Sequence, residues 1–194
     1  FKRENPTRIN LLYQEGLQLS PSKGHVYKYK ISNNSQIKTV IEDLEMLTKA
    51  GVKIRLDANQ SLSTSVLESI LYNLSRETIE AIEYIEEPFK DIRTWASLSW
   101  SKDIAAACDE SFEFTQRAYI PESISNIVLK FGVNISVFEF FELRRDDREW
   151  QITVTSGFEM PTLFNLVIHL AALENNAAGL STFKFYENTL KLYK

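Results

Sequence analysis

Short apolar runs that end in a charged or polar residue recur along this chain, separated by stretches with helical periodicity. Val52-Lys53-Ile54-Arg55-Leu56 closes on Asp57, Ile82-Glu83-Tyr84-Ile85 on Glu86, and Ile104-Ala105-Ala106-Ala107-Cys108 on Asp109. Val26 to Ile31 alternates with the two-residue period of a strand, which puts Lys28 and Lys30 on one face. Ile127-Val128-Leu129 ends in Lys130, and Gln151-Ile152-Thr153-Val154-Thr155 leads into Ser156-Gly157-Phe158-Glu159. Arg8 to Tyr13 supplies a first strand, and Leu180-Ser181-Thr182-Phe183 an eighth.

Between the runs the period changes to 3.6. Ile37, Val40, Ile41, Leu44 and Leu47 predict a helix that Ser35 caps and Gly51 closes. Val66, Ile70 and Leu74 mark the next helix, and Ile92, Trp95 and Leu98 the one after Pro88. Phe112 to Ser123 is aromatic and broken by Pro121, so any helix there is brief. Further helices are expected from about Ile135 to Arg148 and from Pro161 to Leu173. Gln14 to Gly24 should hold the first helix, yet it carries two glycines and Pro21 and has little periodicity.

Eight strands alternating with helices predict a parallel α/β architecture. The strand-end residues Lys30, Asp57, Glu86, Asp109, Lys130 and Thr155 are 27, 29, 23, 21 and 25 positions apart, about one β/α unit each. The fold class expected is therefore a (β/α)8-type, TIM-like barrel. Such barrels usually need about 250 residues, and this chain has 194 and begins at Phe1. We expect a single barrel domain over 1–194, incomplete at the first helix and the C-terminus.

In a barrel the C-terminal strand ends share one mouth, where catalytic groups gather. Asp57, Glu86 and Asp109 would then converge, and three carboxylates without a counter-ion repel strongly. Taken singly, each acid reads as a solvated loop residue; the shared strand-end position makes them a metal site as a set. All-oxygen ligands point to a hard cation, Mg²⁺ first and Mn²⁺ as a substitute. Lys28 and Lys30 read either as edge charges that discourage aggregation or as site residues. A lysine beside a divalent cation has a lowered pKa and can act as a base near neutral pH. Thr155, Ser156 and Gly157 suit a substrate carboxylate or a plain strand-to-helix turn. Glu83 is expected on the helix-facing side of its strand, and Glu87 and Glu110 behind the ligands. His169 reads as a packing residue, His25 as solvated, and Cys108 as pointing away from the barrel centre.

Composition narrows the partners. The net charge is -4, from 22 basic and 26 acidic residues, and no basic run marks a nucleic-acid binder. No apolar stretch approaches the ~20 residues of a membrane span. The single cysteine cannot form an internal disulfide, which favours a reducing, cytoplasmic setting. The partner expected is a small-molecule carboxylate substrate, and oligomeric state is not legible.

Several of these stretches together resemble the enolase superfamily, in particular its muconate-lactonizing-enzyme subgroup. Lys28-Tyr29-Lys30 is similar to the KxK motif of the second barrel strand, and Asp57-Ala58-Asn59 to the DxN ligand motif. Glu86-Glu87-Pro88 resembles E-[EQ]-P, Asp109-Glu110-Ser111 resembles DES, and Lys130 stands where the sixth-strand lysine does. The later stretches, Thr155 to Glu159, His169 to Ala172 and Gly179 to Phe183, look most like the o-succinylbenzoate synthases of that subgroup. Two departures stand out: Phe131 replaces the usual Pro after the sixth-strand lysine, and the family's N-terminal capping domain is expected to lie outside this stretch of sequence.

The resemblance implies Mg²⁺ on Asp57, Glu86 and Asp109, with Asn59 and Glu110 behind them. It implies Lys30 as the base that takes an α-proton and then protonates the departing hydroxyl. Lys130 would stabilise the enediolate by charge and cation–π contact, and Lys28 would tune Lys30. The implied reaction, in menaquinone biosynthesis, is a carbon–oxygen lyase step. It dehydrates 2-succinyl-6-hydroxy-2,4-cyclohexadiene-1-carboxylate to o-succinylbenzoate. The alternative within the superfamily is an N-acylamino acid racemase or dipeptide epimerase; the alternative outside it is a non-catalytic barrel fragment serving as an interaction module.

Overall fold

The computed structural model describes residues 10–13, 25–97, 104–157 and 161–180. Seven strands form one sheet in chain order: β1 (Asn10–Tyr13), β2 (Val26–Lys30), β3 (Lys53–Asp57), β4 (Ile82–Glu86), β5 (Ala105–Cys108), β6 (Asn126–Lys130) and β7 (Gln151–Thr155). Every neighbouring pair is parallel. Thr155 makes a parallel bridge to Gly179 where an eighth strand would start. Ser181 to Phe183, expected to continue it, and Gln14 to Gly24, expected as the first helix, lie outside the described residues.

The sheet curls. Tyr84 on β4 and Thr153 on β7 are three strands apart, which is about 14 Å in a flat sheet. Their hydroxyls nevertheless lie 3.4 Å from one another. Arg55 on β3 reaches past the last strand to the Ala177 carbonyl at 2.7 Å.

Alternation along each strand divides the side chains. Tyr27, Tyr29, Ile54, Leu56, Ile85, Cys108, Ile127, Leu129, Ile152 and Val154 face the helices and form the main core. The concave face carries the polar residues of the sequence motifs around a small apolar cluster of Tyr84, Ala107 and Val128. Cys108 therefore points away from the centre, as its place in the alternation requires.

Helix α1 (Ile37–Lys49) buries Val40, Leu44 and Leu47. It ends where Gly51 adopts a φ of 73°, a conformation a side chain disfavours. Its N-cap is Gln36 rather than Ser35, because the Ser35 hydroxyl accepts from the Ser32 N–H instead. The helix expected over Val66, Ile70 and Leu74 is α2 (Thr64–Tyr72), and a further short helix that the apolar spacing does not mark, α3 (Arg76–Ala81), follows it. Ser63 and Ser75 each cap one by accepting from a backbone N–H three residues on, and a serine used as a cap breaks the preceding helix. α4 (Ile92–Ser97) plants Trp95 in the core, where its indole N–H donates to the Phe89 carbonyl at 2.9 Å. The brief helix expected after Asp109 is a 3₁₀ turn, Phe114–Tyr119.

α5 (Val137–Leu143) is shorter at both ends than the apolar spacing suggests. A capping box between Ser136 and Glu139 starts it. It ends at Leu143, and Arg148, expected in its last turn, lies beyond it and donates to the carbonyls of Ile120, Pro121 and Ile124. α6 (Pro161–Ala171) packs Phe164, Val167 and Leu170 against the sheet. His169 is exposed on this helix, its ring within 2.7 Å of the Asn165 carbonyl, so the packing role expected for it is not what the helix face provides. Phe131 is buried and meets Phe140 edge to face at 5.4 Å: where the related motif has proline, this chain has an aromatic core contact. Among the described residues no helix is long and apolar enough to cross a membrane.

Candidate active site

Asp57 and Glu86 end adjacent strands in register, and Asp109 follows β5 directly. All three are buried. From β2, the Lys28 ammonium reaches across to Glu86 Oε1 at 2.7 Å and Asp57 Oδ2 at 2.9 Å. From β6, Lys130 pairs with Asp109 and lies 3.4 Å from Glu110 Oε1. Lysines thus flank the acidic row on both sides.

The two lysines of β2 differ in setting. Lys28 is 22% exposed in its side chain, whereas Lys30 is 63% exposed and only 3.9 Å from Asp57 Oδ2. Burial works against the Lys28 ammonium, but Glu86 and Asp57 outweigh it and raise its pKa. Lys130 is also raised: burial opposes its charge, and the hydrogen bond to Asp109 more than offsets this. Burial pushes Glu86 up to about 8; Lys28 pulls it back, and the charges of Asp57 and Asp109 add to the rise. An acid in such a site gains from any further positive charge.

Behind the row stands Glu87, fully buried. Its carboxylate accepts from the backbone N–H of Asp109 at 2.7 Å and of Ser111 at 2.8 Å, from the Ser111 hydroxyl at 2.6 Å and from the Gln60 amide at 2.9 Å. The backbone here is left-handed at Asn59, Gln60 and Glu87, with φ of 44°, 58° and 46°. For residues with side chains such conformations cost about 1–3 kcal/mol each and cluster at functional sites. Asn59 is exposed, and its backbone N–H donates to Asp57 Oδ1 at 3.3 Å. Asn134, which sequence reasoning passed over, fastens the far side. It accepts from the Lys130 N–H at 2.8 Å and donates to the carbonyls of Asp109 and Val128. An asparagine four residues after a strand-end lysine, beyond the turn at Gly132, was the only signal for it.

Below the carboxylates lies a second polar layer that sequence reasoning also missed. Arg55, 1% exposed, pairs with Glu83 at 2.7 Å and lies 4.9 Å from the Tyr84 ring centre. Glu83 was expected on the helix side. A register shift between Ile54 and Arg55 sets Arg55 opposite Tyr84. A bulge of this kind re-aims side chains, and the Glu83 carboxylate meets Arg55 instead. Burial pushes the Tyr84 hydroxyl up to about 12.

Thr155 ends β7 and Ser156 follows it, and both hydroxyls donate to the Gly179 carbonyl, at 2.8 Å and 3.3 Å. Gly157 follows them. A side chain at 179 would collide with Thr155, since a Cβ there would lie 2.4 Å from Thr155 Oγ1.

Among the described residues no three acidic, histidine or cysteine side chains form a ready-made metal cluster; lysine ammoniums hold the carboxylate oxygens instead. The donor set nevertheless fits a hard cation. It is all oxygen and buried, and Asp109 Oδ1 is enclosed with no hydrogen-bond partner, a state that costs about 1–3 kcal/mol unless something binds there.

No protein-family model matches the sequence, and no curated protein matches it. Solved structures do. The o-succinylbenzoate synthase from Thermosynechococcus elongatus BP-1, complexed with Mg in the active site, is 22% identical with a TM-score of 0.69, covering 97% of this chain and 68% of that one. MenC from Desulfotalea psychrophila LSv54 is 20% identical with a TM-score of 0.64, covering 90% and 53%. A muconate cycloisomerase from Azorhizobium caulinodans is 15% identical with a TM-score of 0.70, again covering 90% and 53%. This chain spans about half to two thirds of those proteins' lengths. Over that region it has the fold of enolase-superfamily proteins.

Proposed function

We propose that this chain is the barrel region of a Mg²⁺-dependent enolase-superfamily enzyme that dehydrates 2-succinyl-6-hydroxy-2,4-cyclohexadiene-1-carboxylate to o-succinylbenzoate. The observation that carries the reading is the order of groups at the strand ends. Lysines on β2 and β6 enclose three buried carboxylates on β3, β4 and β5. In this reading Asp57, Glu86 and Asp109 hold the metal, with Asn59, Glu87 and Glu110 around them. When bound, Mg²⁺ supplies positive charge to the substrate carboxylate and so makes the adjacent carbon acid easier to deprotonate.

Lys30, the exposed lysine at the mouth, takes the proton from the carbon bearing the carboxylate. It then returns that proton to the departing hydroxyl, so that one water leaves, the ring becomes aromatic and no oxidant is needed. Lys28 is held between Asp57 and Glu86 and serves as a fixed charge beside Lys30. Lys130, on the opposite flank, stabilises the developing negative charge and lies where it can face a substrate ring. Thr155, Ser156 and Gly157 border the mouth at the end of β7 and orient a substrate carboxylate.

The flanking lysines also favour one second reading, an N-acylamino acid racemase or dipeptide epimerase, in which Lys30 and Lys130 exchange protons on opposite faces of a carbon. The complete gene product, given Mg²⁺ and both substrate classes, separates them. Aromatisation of the cyclohexadiene without epimerisation supports the synthase, and epimerisation without aromatisation rejects it.

A further inference from the structure

The three candidate ligands stand where β3, β4 and β5 give way to loops, and one side chain joins all three loops. Glu87 sits next to Glu86, its carbonyl accepts from the Gln60 N–H at 2.6 Å, and its own N–H donates to the Ala107 carbonyl at 3.0 Å. Its carboxylate holds the Asp109 N–H, the Ser111 N–H and hydroxyl, and the Gln60 amide. Gln60 in turn reaches the Ser111 hydroxyl at 3.3 Å. These partners lie outside the contacts Glu86 makes with Lys28, so the two neighbouring glutamates divide the work: one faces the mouth and the other braces the loops.

We propose that Glu87 is a positioning residue that sets the cation affinity of the site by fixing the Asp109–Ser111 turn against Glu86. The inference rests on the metal reading given above. Two features separate this role from simple packing. The acceptor is a buried carboxylate whose two oxygens receive four donors, including the N–H of a proposed ligand residue itself. It is also held in a left-handed backbone, φ 46°, a conformation retained where the surroundings over-determine it. Losing an outer partner of a metal ligand typically lowers metal affinity by about 10–100-fold.

The side chains suggest a specific test. In Glu87→Gln the amide oxygen can still accept from the Asp109 and Ser111 N–H groups, but the charge is lost and the amide nitrogen no longer accepts from the Ser111 hydroxyl and the Gln60 amide. Adding Gln60→Glu returns the charge and the pattern: Gln at 87 donates to the new carboxylate at 60, which also accepts from Ser111. Mg²⁺ binding to the parent, Glu87→Gln and Glu87→Gln/Gln60→Glu proteins is measured by calorimetry, with thermal unfolding in EDTA alongside. The expected result is an affinity about tenfold or more weaker in the single variant, with most of the loss recovered in the double variant. Parental affinity in Glu87→Gln overturns the inference and leaves the metal reading intact, as does a loss that the second change does not restore. A parent that binds no Mg²⁺ overturns both. Ser111→Ala, which removes one donor and no charge, covers the case in which Glu87→Gln does not fold. A small fall in affinity with unchanged unfolding supports the inference, and unchanged affinity opposes it.

Discussion

Lys28 Nζ on β2 lies 2.7 Å from Glu86 Oε1 on β4, with the strand that carries Asp57 between them. The curled sheet makes this contact across two strands, and it puts the positive charge where the buried acids most need it. Lys28→Met keeps the volume and removes the charge. Breaking a buried pair costs about 3–5 kcal/mol, less when one partner is partly exposed, so a loss of about 2–3 kcal/mol is expected in EDTA. Mg²⁺ should narrow the gap between variant and parent. Equal denaturant midpoints without metal would show that the pair does not stabilise the fold.

Gly179 presses on Thr155 where β7 meets the following segment. Gly179→Ala forces its new methyl against Thr155, with Cβ 2.8 Å from Thr155 Cβ. Overpacking of this kind costs about 1–3 kcal/mol. Thr155→Gly removes both colliding atoms, so Gly179→Ala should cost less in that background than in the parent. A double-mutant cycle on unfolding free energies reads the difference, and simple additivity would contradict the contact.

Much of the site was legible because strand alternation and a terminal acid are both local signals. Asp57, Glu86, Asp109 and Lys130 stand together at the ends of neighbouring strands, and Lys28, in the middle of β2, reaches them from the same face. The layer beneath was not legible, since it depends on a bulge. One shifted residue between β3 and β4 turns Glu83 toward Arg55, and no pattern within either strand announces it. Helix ends were similarly hidden. Arg148, expected in the last turn of α5, instead meets carbonyls 24 to 28 positions back in the chain, and the unexpected α3 starts where Ser75 serves as a cap.

Asp146 supplies a dependence on pH away from the site. The hydrogen bond from Arg117, 2.9 Å long, holds its pKa below the ordinary 3.8. A lowered acid stabilises the fold above its unfolded pKa, and that stability is lost as pH falls through the folded value. Asp146→Asn should therefore be less stable than the parent near neutrality, by no more than about 1 kcal/mol for so accessible a pair. The difference should close below about pH 3.8. Unfolding curves at a series of pH values check this, and a gap that stays constant into acid would refute it.

The most direct test of the central claim is steady-state dehydration of the cyclohexadiene substrate by the complete gene product, followed by absorbance. It is run with Mg²⁺, with EDTA, and with a Lys30→Ala variant. Turnover should require Mg²⁺ and fall by about 10³-fold or more in the variant, the loss expected when an essential proton-transfer group is removed. A folded, Mg²⁺-binding protein that does not turn over this substrate, or a Lys30→Ala variant with parental rates, would contradict the claim.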